Sequence, residues 1–90
     1  MEKTGLAFPV VHGNGTSRKS LLAGYRMARS AVVLAMNVME EVAPNERDYY
    51  IQADGSFEKA RREHEGRVAA LRMVVNDLTF LCEAVFKQKA

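Results

Sequence analysis

Cysteine occurs once, at Cys82, so no disulfide can form within the chain, and a reducing cytosol is the expected environment. Long apolar runs are also missing. The longest, Ala31 to Met36, falls far short of the roughly 20 residues a membrane helix needs. Near the start, Leu6-Ala7-Phe8 is cut off by Pro9 before a secretory core could form. A soluble, intracellular protein with no membrane partner is therefore expected. Charge of one sign is scarce too: the formal net charge is only +2, too little to point to nucleic acid by itself. The chain has no internal repeat and no low-complexity tract.

Signatures of catalysis are equally sparse. His12, His64 and Cys82 have no metal-ligand spacing, and Glu63-His64 is not part of an H-E-x-x-H pair, so no metal and no cofactor are expected. Ser17 and Ser56 lack the elbow or oxyanion context of a serine nucleophile. The carboxylates Glu40, Glu41, Glu58, Glu63 and Glu65 fall mainly on solvated helix faces. The chain reads as a binding protein and not as an enzyme.

What the chain does have is helical periodicity. Residues 1–15 read as an extended arm, with Leu6, Phe8, Val10 and Val11 available to pack on a helix. Gly13-Asn14-Gly15 breaks the chain, and Thr16 or Ser17 is placed to cap a first helix over residues 17–43. Pro44 ends it, because the residue before proline is pushed out of helical geometry. A loop over residues 44–55 follows, and Ser56 is expected to cap a second helix over residues 56–87.

In helix 1, Leu21, Tyr25, Ala28, Val32, Ala35, Met39 and Val42 alternate spacings of four and three, as in a coiled-coil seam. Met27, Ala31, Leu34 and Val38 make a second stripe, expected to meet an oligomer partner. In helix 2 the seam reads Phe57, Ala60, His64, Arg67, Leu71, Val74, Leu78, Leu81 and Val85, widened by Val68, Val75, Cys82 and Phe86. The expected fold is all-α: one domain, residues 1–90, a long antiparallel helical hairpin assembling as a homo-oligomeric bundle. With 48% apolar residues, one helix–helix interface is too small to bury them all.

Two seam positions are wrong for a core, His64 and Arg67, because a buried guanidinium without a partner is costly. One reading has Arg67 snorkelling to the edge or pairing with Glu63, with His64 a satisfied core histidine. The other has a polar pocket there that takes an anion. The nearby loop adds Arg47, Tyr49 and Tyr50, which offer a phosphate-binding fork and stacking surfaces; the plainer alternative is a tyrosine plug at the hairpin end. Asn37 sits at a similar level. At the other end, Asn14, Thr16 and Ser17 precede Arg18 and Lys19 at a helix entry, where free N–H groups favour anions, although the spacing is not a Walker A loop. The two clusters lie roughly 30 Å apart along helix 1 at 1.5 Å per residue. Only an antiparallel homodimer would bring them together, at a subunit interface.

Gly15-Thr16-Ser17, Arg47-Asp48-Tyr49-Tyr50 and the set Phe57, Ala60, Glu63, His64 and Arg67 resemble a group of small helical bacteriophage and prophage proteins that carry no assigned function. The likeness spans about residues 12–75 and implies a phage protein in the cytoplasm of an infected bacterium. By analogy of architecture and chemistry, such a protein is similar to anti-defence "sponges" that sequester nucleotide immune signals, cyclic dinucleotides or cyclic ADP-ribose species. Tyr49 or Tyr50 would then stack on a base, Arg47 and Arg67 would hold phosphate, and His64 would donate a hydrogen bond. Thr16 and Ser17 would cap the ligand from the other subunit. The alternatives are an inhibitor of a host restriction or CRISPR effector, using Arg26, Arg29, Arg61, Arg62 and Arg72, or a phage assembly adaptor.

Overall fold

The computed structural model describes residues 5–89. Two helices dominate: α1 over Arg18–Glu41 and α2 over Ser56–Phe86, with a single 3-10 turn, η1, over Glu46–Asp48 between them. No strand occurs among the described residues. The helices pack side by side as a hairpin measuring 62 × 24 × 19 Å. The expected all-helical hairpin is thus the observed architecture.

Local chemistry sets the helix ends. Ser17 is the N-cap of α1, its hydroxyl accepting from the Ser20 amide at 3.1 Å, which meets one orphan donor of the first turn. α1 ends at Glu41, two residues earlier than expected, with Val42 as its C-cap ahead of Pro44. The start of α2 differs from expectation. Gly55, at φ 89°, occupies the cap position and makes no side-chain bond, while Ser56 is already helical and its hydroxyl donates to the Ala53 carbonyl at 2.8 Å. A left-handed φ at the turn into the helix is glycine's conformation, and it relieves Ser56 of the capping role.

Two cross-helix bonds define the register. Arg18 Nη2 donates to the Phe86 carbonyl (2.7 Å), and Arg29 Nε donates to Thr79 Oγ1 (2.8 Å). The antiparallel alignment is therefore nearly flush at the Arg18 end. Since α2 is the longer helix, its first two turns, near residues 56–62, reach beyond the end of α1. Tyr49 covers them, its ring 6.2 Å from that of Phe57 and tilted by 51°.

Most of the expected seam positions face inward, and the departures are largest on α1. On α1 the inward apolar positions are Leu21, Leu22, Tyr25, Val32, Val33, Met36 and Met39, whereas Ala28, Ala35 and Val42 are exposed. On α2 they include Ala60, His64, Val68, Leu71, Val75, Leu78, Cys82 and Val85, while Arg67 and Val74 are exposed. The reason is steric and hydrophobic. Turning Leu22, Val33 and Met36 inward buries more carbon than two alanines would. Replacing Arg67 by Val68 avoids the cost of desolvating a guanidinium.

The segment before α1 lies against the end of α2. Gln88 clamps it: its Oε1 accepts from the Val11 amide at 2.7 Å and its Nε2 donates to the Pro9 carbonyl at 2.8 Å. Leu6, Phe8 and Val11 are half-buried, Val10 is exposed, and Val85 is completely enclosed. Residues 1–4 of the expected arm fall outside the described part of the chain.

The hairpin is thin for its mass. Its accessible surface is 6896 Å², against about 5200 Å² for a compact 10.0 kDa monomer. Its radius of gyration, 18.6 Å, compares with about 12 Å for a compact domain of this length. Only Leu22, Val75 and Val85 are buried among the described residues, and of these only Val85 completely.

Candidate functional site

At the loop end, η1 is started by Asn45, whose Oδ1 accepts from the Arg47 amide at 3.0 Å. This turn brings Arg47, Tyr49 and Tyr50 together, but gives them different surroundings. Tyr49 is committed to Phe57, whereas Tyr50 is 74% exposed and Arg47 is also exposed. Arg47 and Tyr50 line an open depression of about 400 Å³ together with Asn45 and Glu46. A second hollow, about 240 Å³, runs from Tyr49 and Tyr50 to Ser56 and Phe57 and is bordered by Glu46 and Asp54. Two carboxylates and no cation make it unsuited to phosphate. The Arg47–Tyr50 depression has the better chemistry, with a guanidinium fork beside a free aromatic face.

His64 and Arg67 do not line either hollow. They lie roughly 10 and 15 Å along α2 from Phe57 at 1.5 Å per residue. His64 is half-buried where α1 ends, and Arg67 projects from the exposed face. No pairing of Arg67 with Glu63 occurs among the described residues. Asn37 is exposed on α1.

At the opposite end, Asn14, Thr16 and Ser17 are exposed around the helix entry. The Ser17 hydroxyl is spent on the α1 cap. The Asn14 amide donates to His12 Nδ1 at 3.3 Å, and the His12 ring folds over Gly15 so closely that a Cβ there would stand 2.8 Å from Nε2. A side chain at Gly15 would therefore require the exposed His12 ring to move. A hollow of about 280 Å³ is lined by Val11, His12, Gly13, Gly15, Ser17 and Arg18. Arg18 itself lies over the Phe86 ring, 5.1 Å from its centroid, and its Nε is enclosed without a hydrogen-bond partner among the described residues.

The polar clamps at Arg18, Arg29 and Gln88 carry no local sequence signal, because each joins residues at least 50 positions apart. No group of three or more His, Cys, Asp or Glu among the described residues could hold a metal ion. No described helix is long and apolar enough to cross a membrane.

The molecule defined by these features is a helical hairpin with an open arginine–tyrosine face at its loop end. The chain matches no protein-family model, and no curated protein or solved structure matches it.

Proposed function

We propose that the protein is a non-catalytic, self-associating binding protein that holds a nucleotide at the junction between subunits. In this reading it is a phage anti-defence protein acting in the bacterial cytoplasm, and the ligand is an immune signal of the cyclic dinucleotide or cyclic ADP-ribose type. The observation that carries the reading is the pairing of Arg47 with Tyr50 on one open depression, neither side chain having a structural task. A base stacks on the tyrosine face and a phosphate takes the guanidinium fork. An antiparallel second subunit would bring Asn14, Thr16 and Ser17 towards this loop, and His64 and Arg67 would extend the polar surface along α2.

The test is thermal unfolding with a panel of cyclic di- and trinucleotides and ADP-ribose derivatives. A ligand at 100 times its Kd adds about 2.7 kcal/mol to the folded state by mass action. The expected result is a concentration-dependent rise in Tm that Tyr50→Ala and Arg47→Ala both abolish. A folded protein that shifts with no member of the panel overturns the reading. One observation favours a second reading, a protein-binding inhibitor or assembly adaptor: the apolar outer face of α1, where Met27, Leu34, Val38 and Val42 are exposed. Copurification of a stoichiometric host or virion protein selects it.

A further inference from the structure

The outer face of α1 carries enough chemistry to say how two copies meet. Arg29 points to α2, since its side chain reaches Thr79. At about 100° per residue, Met27, Ala31, Leu34, Val38 and Val42 all lie within about 40° of the opposite direction. All five are exposed, and Gly24, Ala28 and Ala35 extend the same surface to one side. No charged residue interrupts it. The small residues allow a second helix backbone to approach closely, and the larger ones supply apolar area.

Charge is sorted by sign along α1, and Lys19, Arg26 and Glu41 flank this surface while Arg18, Arg29 and Glu40 lie towards α2. Arg18, Lys19, Arg26 and Arg29 occupy the first half of α1, and Glu40 and Glu41 its last turn. This order opposes the helix dipole at both ends, where acidic residues first and basic residues last would be favourable. α2 does not compensate, because among the described residues no ion pair engages Arg26, Glu40 or Glu41. A parallel copy would set like charges level. An antiparallel copy reverses the order, so each basic half faces an acidic end. Lys19, Arg26 and Glu41 share one flank of the apolar surface, as such a pairing needs.

We infer that α1 docks against α1 of a second copy of this chain, antiparallel, about a two-fold axis near Ala31 and Leu34, with Arg26 of each copy close in level to Glu41 of the other. The arrangement is closed and isologous, so it stops at a dimer. It rests on the self-association proposed above and specifies its surface and direction.

The test is sedimentation equilibrium on the full chain, with circular dichroism to follow helicity. The wild type is expected to be a dimer. Leu34→Asp, on the exposed face, is expected to give a monomer of unchanged helicity. R26E is expected to weaken the dimer about tenfold at low salt, and adding E41K to R26E is expected to restore it to within about twofold. In a parallel pair R26E would meet only itself and change little. A wild type that stays monomeric at 100 times the protein concentration of a routine assay, about 1 mM, overturns self-association itself. A dimer that survives Leu34→Asp, or that R26E weakens without rescue by E41K, overturns this surface and leaves self-association standing.

Discussion

The guanidinium of Arg18 lies 5.1 Å above the ring of Phe86 and donates from Nη2 to the carbonyl of the same residue at 2.7 Å. One side chain thereby ties the first residue of α1 to the last residue of α2, which are distant in sequence and adjacent in space. The bond also supplies a donor to a helix-terminal carbonyl, which has no intrahelical donor of its own.

Arg18→Ala is expected to lower unfolding free energy by about 1–2 kcal/mol, combining a partly exposed cation–π contact with a charge-assisted hydrogen bond. Arg18→Lys should recover only part of this, because an ammonium lacks the planar fork. Urea denaturation at one fixed protein concentration measures both, so that any association is held constant.

Gln88 clamps Pro9 and Val11 with both ends of one amide. Gln88→Glu keeps the acceptor for the Val11 amide but loses the donor to the Pro9 carbonyl, and sets a carboxylate against it. Gln88→Ala loses both. Hydrogen exchange at the Val11 amide should be slow in the wild type and fastest in the alanine variant. Global stability should fall by only about 1 kcal/mol, since the clamp holds one short segment.

Val75 and Val74 are neighbours on α2 but differ in surroundings, with Val75 at 9% exposure and Val74 at 43%. Val75→Ala is expected to cost about 2 kcal/mol, from the lost methyl groups and the cavity left behind. Val74→Ala should stay within about 0.5 kcal/mol. Equal losses at the two sites, in thermal or chemical unfolding, would contradict the observed seam.

Gly55 enters α2 at φ 89°, in the left-handed region. Gly55→Ala is expected to destabilise by about 1–2 kcal/mol even though nothing would touch the added methyl group. Gly66→Ala, inside α2 and also free of contacts, should instead stabilise by up to about 1 kcal/mol through helix propensity. The opposite signs of two identical substitutions make the comparison sensitive.

The Arg61 guanidinium bonds Glu58 and Glu65 on the exposed side of α2. Its hydrogen bond holds the Glu58 carboxyl below its ordinary pKa, and the glutamates raise that of Arg61. A depressed carboxylate contributes stability above its unfolded pKa and loses it as pH falls through the folded value. The contribution should therefore be present at neutral pH and fade in acid, and Arg61→Ala should flatten the acid limb of a stability–pH curve. Salt should diminish the difference, since the groups are solvent-exposed.

Much of the hairpin was legible in the residue order. Ser17 before an apolar-periodic run and Pro44 after it mark helix ends through local backbone chemistry, which needs no distant partner, although the residue order points to Ser56 as the cap of the second helix and the cap is Gly55. The Arg47–Tyr50 grouping was legible for the same reason, since one short turn holds it. The place of Arg67 was not. Its spacing from His64 and Leu71 fits a seam as well as that of Val68 does, and only contact with α1 separates the two.

Sequence by itself determined that part of α1 is apolar on every side and that its partner helix runs antiparallel. It could not choose between faces one residue step apart, because both are apolar and periodicity weighs them alike. Tertiary packing made that choice. With α2 in place, Leu22, Val33 and Met36 bury more carbon than Ala28 and Ala35, and Arg29 finds Thr79. Met27, Leu34 and Val38, the second stripe read from the sequence, are exposed in the packed hairpin and form the surface left for another molecule.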